Sequence, residues 1–111
     1  MITFETTDPA ALLNKIKAGI DSGHIVTWSY DSNGDFTHSV PQWKYQAWVR
    51  PSIAASALTF VIVGRSDVRL SVETYAIYHG RFLEMMLAHF DKSFTTADST
   101  ALASVSDLIA A

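Results

Sequence analysis

The spacing of apolar residues switches period twice along this chain of 111 residues, and the two switches limit what it can fold into. Between Asp8 and Gly23, apolar side chains recur at helical spacing, and Asp8 followed by Pro9 is a typical helix start. From His24 to about residue 50 they alternate with polar ones, which predicts strands. From Ser71 onward the helical spacing returns. The pattern therefore predicts two main helices separated by a block of strands.

The strand segments complete this outline. They are residues 2–5, 24–31, 36–40, 43–50 and 57–63. Asn33-Gly34 is a hairpin signal because both residues tolerate positive φ, and Pro51 is expected to end the strand before it. Strands joined by short turns should pair antiparallel with the helices on one face. We therefore predict an α+β two-layer sandwich of four to five strands and two main helices in the order β-α-β-β-β-β-α.

The same pattern divides the chain into a domain and a tail. Residues 1–92 form a single α+β domain in this interpretation. Residues 93–111 are rich in Ser and Thr at their start and end with apolar residues at helical spacing. They are predicted to be a C-terminal tail or a short helix.

The second helix carries a histidine where a leucine is expected. Over residues 72–90, at about 100° per residue, His79 falls near the middle of the apolar arc. A buried imidazole needs partners for both nitrogens. Burial predicts a pKa below about 6.5, and a neighbouring carboxylate such as Asp31 or Asp35 would reverse the shift. Gly80 costs about 1 kcal/mol against alanine inside a helix, which predicts close approach of a strand or loop.

The surroundings of His79 define a candidate pocket between helix and sheet. Tyr78 and Arg81 accompany His79 on the helix, and His38 is the strand residue that would face it. These residues can form a base or a ligand contact, or His79 can be a core histidine bonded to a carbonyl or hydroxyl. Arg81 and Glu84 are spaced for an ion pair on the exposed arc.

Composition excludes several classes of function. Hydrophobic residues are 49% and charged residues 17%, which is typical of a packed globular domain. Without cysteine, disulfides, thiolate zinc sites and cysteine nucleophiles are excluded, and a cytoplasmic location is expected. The formal charge of −3 argues against nucleic acid as a partner. No signal peptide and no long uncharged apolar stretch is recognisable, so no membrane partner is expected.

Motifs for catalysis or cofactor binding are missing from the sequence. There is no glycine-rich phosphate loop, no serine-nucleophile elbow and no metal-ligand spacing of histidines on one helix. Residues 31–35 begin like a calcium loop, but glycine falls at the fourth position instead of the sixth, so a turn is the better interpretation. We expect no cofactor and no metal, and leave open whether the protein is an enzyme.

A second candidate site lies on a predicted strand. Lys44, Trp48 and Arg50 share one face, where a cation and a large aromatic ring could bind a partner. Cover by the C-terminal tail or by another subunit is favoured over nucleic acid. The preferred function is therefore a protein-binding or self-associating module. The alternative is a small enzyme or ligand-binding protein with a helix–sheet pocket around His79.

Three strings of residues carry a resemblance to known proteins. They are Trp28-Ser29-Tyr30-Asp31 running on to Gly34-Asp35-Phe36-Thr37-His38, then Gln42-Trp43 with Ala47-Trp48 and Arg50-Pro51, and Tyr78-His79-Gly80-Arg81-Phe82 with Glu84-Met85 and His89-Phe90-Asp91. In combination the chain resembles a group of small bacterial proteins of uncharacterised function. The resemblance implies a bacterial, single-domain, cytosolic protein, and it implies no activity, substrate or site residue.

Overall fold

The computed structural model describes residues 1–103 and 107, which form two helices and six strands. In chain order the elements are β1 (Ile2–Glu5), α1 (Pro9–Asp21), β2 (Trp28–Tyr30), β3 (Phe36–His38), β4 (Ala47–Ile53), β5 (Ala57–Gly64), α2 (Val72–Phe90) and β6 (Thr96–Ser99). All strand pairs are antiparallel, in the order β2-β3-β4-β5-β1-β6. The predicted α+β class is confirmed.

Both helices pack on one face of the sheet because the strands turn alternate residues toward them. Ile2 and Phe4 of β1 are fully buried, while Thr3 between them is half-buried on the opposite face. Helix α1 contributes Leu12 and Ile16 to the same core cluster as the α2 aromatics. The result is one hydrophobic core between two layers, as two-layer sandwiches require.

The two helices begin where capping chemistry predicts. The Asp8 side chain accepts a hydrogen bond from the amide of Ala11 at 3.1 Å, and Pro9 follows as the first residue of α1. Ser71 accepts from the amide of Thr74 at 3.0 Å at the start of α2. In the described part of the chain, neither helix has the combination of length and apolar character that crossing a bilayer requires.

The hairpin between β2 and β3 forms at the predicted place, with only one of its two residues at positive φ. Gly34 has φ 82°, and its amide donates to the carbonyl of Asp31 at 3.0 Å. The Asp31 carboxylate accepts from the amides of Asn33 and Asp35, at 2.9 and 3.1 Å. The aspartate side chain therefore organises the turn, as Asx turns do.

The prediction of a strand over residues 43–50 is wrong for its first half, and the observed strand extends beyond the predicted end. Residues 41–45 form turns, and Tyr45 has a positive φ of 62°. Strand β4 then continues through Pro51 to Ile53. The proline is tolerated because β3 pairs with β4 only at Val49, so β4 has one neighbouring strand around Pro51.

Part of the predicted tail belongs to the sheet. Residues 96–99, assigned from sequence to a tail or short helix, form β6 and pair with β1 over its full length. Phe94 packs edge-on against Phe4, with ring centroids 5.1 Å apart. This strand is mostly polar because it is an exposed edge, and it therefore lacks the hydrophobic alternation that marks buried strands. Most of the predicted C-terminal helix lies outside the described residues.

Gly80 is exposed, and a methyl group added there would meet no atom within 4 Å. The predicted close approach of a strand or loop is therefore wrong. We expect Gly80→Ala to raise the free energy of unfolding by about 0.5–1 kcal/mol, because alanine restricts the unfolded chain and favours the helix. Thermal and urea unfolding measure this gain.

Gly19 supplies a matched control within α1. A Cβ atom at this position would lie 2.9 Å from the Cδ1 atom of Ile25, whose side chain is buried. Gly19→Ala should therefore raise the free energy of unfolding clearly less than Gly80→Ala does, or lower it. Equal gains in the two variants, or a loss at Gly80, would contradict this account.

Candidate functional site

The predicted burial of His79 is confirmed: its side chain lies in the core face of α2 and is 5% exposed. Its Nδ1–H donates to the carbonyl of Tyr75 at 2.7 Å, one helical turn earlier. Its Nε2 atom is 2.9 Å from the amine of Met1, which donates to it. Both ring nitrogens therefore have partners, and the Tyr75 ring stacks on the imidazole with centroids 3.8 Å apart.

The environment of His79 favours the neutral imidazole. Burial lowers its pKa to about 4, helped by the positive charge of the Met1 amine and opposed by the carbonyl of Tyr75 and the charge of Asp107. The Asp107 carboxylate lies 3.4 Å from the same amine. Neither Asp31 nor Asp35, the carboxylates suggested from sequence, contacts the ring among the described interactions.

Tyr78 is fully buried and holds the connection between β3 and β4. Its hydroxyl donates to the carbonyl of Trp43 and lies 3.0 Å from the Oγ1 atom of Thr37. Thr37 in turn accepts from the amide of Tyr45 at 3.1 Å. These bonds stabilise the turn that replaces the predicted strand, so Tyr78 has a structural role here.

His38 has one satisfied and one unsatisfied ring nitrogen. Its side chain is 2% exposed and stacks on Trp28, with ring centroids 4.9 Å apart. Its Nδ1–H donates to the carbonyl of Thr27 at 2.7 Å, so in the neutral ring Nε2 carries the lone pair. Among residues 1–103 and 107, no group forms a hydrogen bond with this buried Nε2 atom.

A groove opens beside His38, between α2 and the start of the hairpin; we call it the His38 groove. It is lined by Thr27, Trp28 and His38 on the hairpin side and by Arg81, Glu84, Met85, Ala88 and His89 of α2. Its volume is about 220 Å³. Two of the predicted pocket residues, His38 and Arg81, therefore meet in one groove, while His79 and Tyr78 do not line it.

Charged side chains of opposite sign lie along the α2 rim of the His38 groove. Arg81 and Glu84 are both exposed. The ion pair predicted from their spacing is not formed, and neither side chain has an ion-pair partner in the described chain. Both charges therefore remain available to a ligand in the groove.

The second candidate site, the strand face, is only partly assembled. Trp48 is half-buried on β4, with the Tyr45 ring stacked beside it at 6.5 Å between centroids. Lys44 lies in the preceding turn, where its Nζ atom is 5.1 Å from the centre of the Tyr45 ring. Arg50 binds the buried carboxylate of Asp35 through two hydrogen bonds of 2.9 and 3.0 Å.

The pairing with Asp35 changes the role expected for Arg50 in binding a partner. Hydrogen bonding and the negative charge of Asp35 raise the pKa of the Arg50 guanidinium. A guanidinium held by a bidentate carboxylate has less capacity to bind a further anion. Of the predicted face, Trp48 is thus the residue that offers apolar surface to a partner.

Sequence reasoning missed most of the helical side of the groove. Glu84, Ala88 and His89 join Arg81 on one side of α2, and their helical spacing is visible in the sequence. What no local pattern shows is that Thr27 and His38 lie opposite that side. Likewise, nothing in the sequence pairs Met1 with His79, because the two residues meet only through the tertiary fold.

No protein-family model, curated protein or solved structure matches this chain. The resemblance to small bacterial proteins stays a prediction. The geometry of the described residues is therefore the basis for a proposal about function. Among these residues no group of three or more histidine and carboxylate side chains is placed to hold a metal ion.

Proposed function

We propose that this protein binds a small polar ligand in the His38 groove, through a donor group that the ligand presents to His38 Nε2. Two observations carry the proposal: His38 lines the groove, and its Nε2 atom is buried without a hydrogen-bond partner in the described chain. This is the ligand-binding alternative of the sequence analysis, moved from His79 to His38.

The hydrogen bond to Thr27 determines what kind of group can bind. Because Nδ1–H is donated to a backbone carbonyl, the neutral ring presents a lone pair at Nε2. Leaving such a buried acceptor unpaired costs about 1–3 kcal/mol. A ligand N–H or O–H would recover that cost, and the stacked Trp28 ring holds the imidazole in place to receive it.

The dimensions of the groove limit the size of the ligand. Its volume of about 220 Å³ is below the range of about 300–1,000 Å³ typical of drug-sized ligands. Thr27 and Arg81 supply polar groups at the sides, whereas Met85 and Ala88 supply apolar surface. These features support a compact molecule with polar and apolar parts.

Ligand screening by NMR tests the proposal. A library of small molecules with N–H or O–H donors, each at millimolar concentration, is added to uniformly ¹⁵N-labelled protein. We expect ligands to shift the Nε2 resonance of His38 and the amides of Thr27 and Ala88, because these residues line the groove. A library that shifts none of them would refute the proposal.

Two variants make the screen specific. His38→Phe keeps an aromatic ring beside Trp28 but removes the acceptor, and it should abolish binding. His24→Phe, at an exposed histidine outside the groove, serves as the control and should leave binding unchanged. Ligands that bind both variants equally well would show that Nε2 is not the recognition group.

A separate observation supports self-association as a second candidate function. Trp48 pairs across strands with Val63, which is also half-buried, on the sheet face away from both helices. The neighbouring strand residues Val49 and Ile62 belong to the core cluster that the helices cover, so they point to the opposite face. Partly exposed apolar surface of this kind is typical of protein interfaces. We propose that two copies of the protein associate through it.

Sedimentation of the full chain tests this second candidate. The wild-type protein should form a dimer at micromolar concentration, and Trp48→Lys should dissociate it because the interface would have to bury a charge. Val72→Lys places the same charge at an exposed valine of α2 and should leave the dimer intact. A wild-type monomer at high concentration would rule out self-association.

A further inference from the structure

We propose that the ligand of the His38 groove is a small zwitterion of the amino-acid type, with a carboxylate held by Arg81 and an ammonium group held by Glu84 and His38. This inference rests on the proposed ligand binding and deepens it, because it names the class of molecule. Its basis is the charges of Arg81 and Glu84, which have no ion-pair partner in the described chain, together with the buried acceptor of His38 and the apolar surface of the groove.

The two charges on the α2 rim are placed for a ligand with charges of both signs. Arg81 and Glu84 are three positions apart, which puts their Cβ atoms about 5–6 Å apart on a helix. Side chains at this spacing commonly pair with each other, yet these two have no ion-pair partner in the described chain. A molecule that carries a carboxylate and an ammonium group on one carbon would pair with both.

The acceptor on His38 assigns the orientation of the ligand. An ammonium group has several N–H donors, so it can donate to His38 Nε2 and to the Glu84 carboxylate together. The carboxylate then meets the guanidinium of Arg81, whose fork of donors matches its two oxygens. A simple amine would leave Arg81 unpaired, and a simple carboxylate would offer no donor to His38.

The remaining surface of the groove suits a compact apolar side chain. Met85 and Ala88 line it from the helix, and the groove volume is about 220 Å³. A thioether side chain such as that of Met85 adapts to different apolar shapes. Free L-amino acids with aliphatic side chains are therefore suitable probes.

Titration with a matched set of probes tests the charge assignment. L-leucine carries both charges, N-acetyl-L-leucine only the carboxylate and L-leucinamide only the ammonium group. We expect L-leucine to bind at least about tenfold more tightly than either derivative, since each loses a charge-assisted contact. Binding is followed through the amides of Thr27 and Ala88 by NMR.

Charge-removing variants locate each contact. Arg81→Gln should weaken the binding of L-leucine to the level of L-leucinamide. Glu84→Gln should weaken it toward the level of N-acetyl-L-leucine, because the contact of the ammonium group with His38 remains. Arg69→Gln and Glu73→Gln make the same changes at exposed positions that do not line the groove, and they should leave binding unchanged. Unfolding curves of all four variants establish that they are folded.

The outcomes separate this inference from the proposed function. If neutral donors or either blocked derivative bind as tightly as L-leucine, the zwitterion is wrong although ligand binding at His38 stands. If Arg81→Gln and Glu84→Gln bind L-leucine as the wild type does, the charge assignment is likewise wrong. If no probe, charged or neutral, shifts the groove resonances, the proposed function itself fails.

Discussion

Replacing Phe82 by alanine is expected to lower the free energy of unfolding by about 3–5 kcal/mol, the typical cost of deleting a fully buried phenyl ring. Phe82 has no exposed surface, and its ring meets four other aromatic rings of the core, at centroid distances from 4.5 to 6.2 Å. The cavity would open between α2 and strands β1, β2, β3 and β5. Because domains of this size are stable by about 5–15 kcal/mol, the loss is a large part of the total.

Two further variants establish whether this cost belongs to the core site. Phe94→Ala makes the same change at a half-buried phenyl ring and should cost clearly less. Phe82→Leu keeps most of the volume and should remain folded if the alanine variant does not, with a loss of about 1–2 kcal/mol. Urea unfolding measures all three. A Phe82→Ala loss no larger than that of Phe94→Ala would contradict the packing described here.

The second large expected effect is a loss of stability in acid caused by His79. Its folded pKa of about 4 lies below the unfolded value of about 6.5. As the pH falls from about 6.5 toward 4, the imidazole therefore binds a proton in the unfolded chain but not in the folded chain. The stabilisation is fully present above pH 6.5 and is lost as the pH drops toward 4, by about 3 kcal/mol in total.

Replacement of the imidazole isolates this contribution. His79→Gln removes the titrating group, so the difference in unfolding free energy between wild type and variant should shrink between pH 6.5 and 4. His89→Gln, at an exposed histidine of the same helix, is the control. The groups facing His79 also titrate or carry charge, namely the Met1 amine, Tyr75 and Asp107, so direct NMR titration of the imidazole is needed. Titration near 6.5 would contradict this account.

The His38 groove and the surroundings of His79 can be tested by separate variants. His79 contacts Tyr75 and the Met1 amine and lines no part of the groove, whereas His38 lies at the groove. Variants of His79 should therefore change stability and its pH dependence but leave ligand binding in place. Variants of Arg81 or Glu84 should do the opposite, because these side chains are exposed.

Local pattern predicted the elements whose formation depends on neighbours in sequence. The helical spacing up to Gly23 and again from Ser71 placed both helices, because an amphipathic face and a capping side chain are properties of a short segment. Asn33-Gly34 placed the hairpin for the same reason. The burial of His79 also followed from its angle on the helix.

The errors of the sequence interpretation occur where distant contacts override local pattern. Residues 43–45 alternate like a strand, but the hydroxyl of Tyr78 holds the carbonyl of Trp43 in a turn. Pro51 is a typical signal for the end of a strand. Strand β4 nevertheless continues through it, because β3 no longer pairs with β4 at this point and the missing amide hydrogen costs no bond to β3. Strand β6 has no hydrophobic pattern because it is an exposed edge strand, and its pairing with β1 places it in the sheet.

By itself, then, the sequence determined two helices, an antiparallel sheet and a buried histidine, since period and capping act over a few residues. Only the tertiary structure decided which histidine keeps a buried nitrogen without a hydrogen-bond partner in the described chain. His38 and Arg81 are far apart in the chain, and they meet because α2 crosses the sheet beside the hairpin. Hydrogen-bond satisfaction is a property of the assembled fold, so the site it identifies could not be located from sequence spacing.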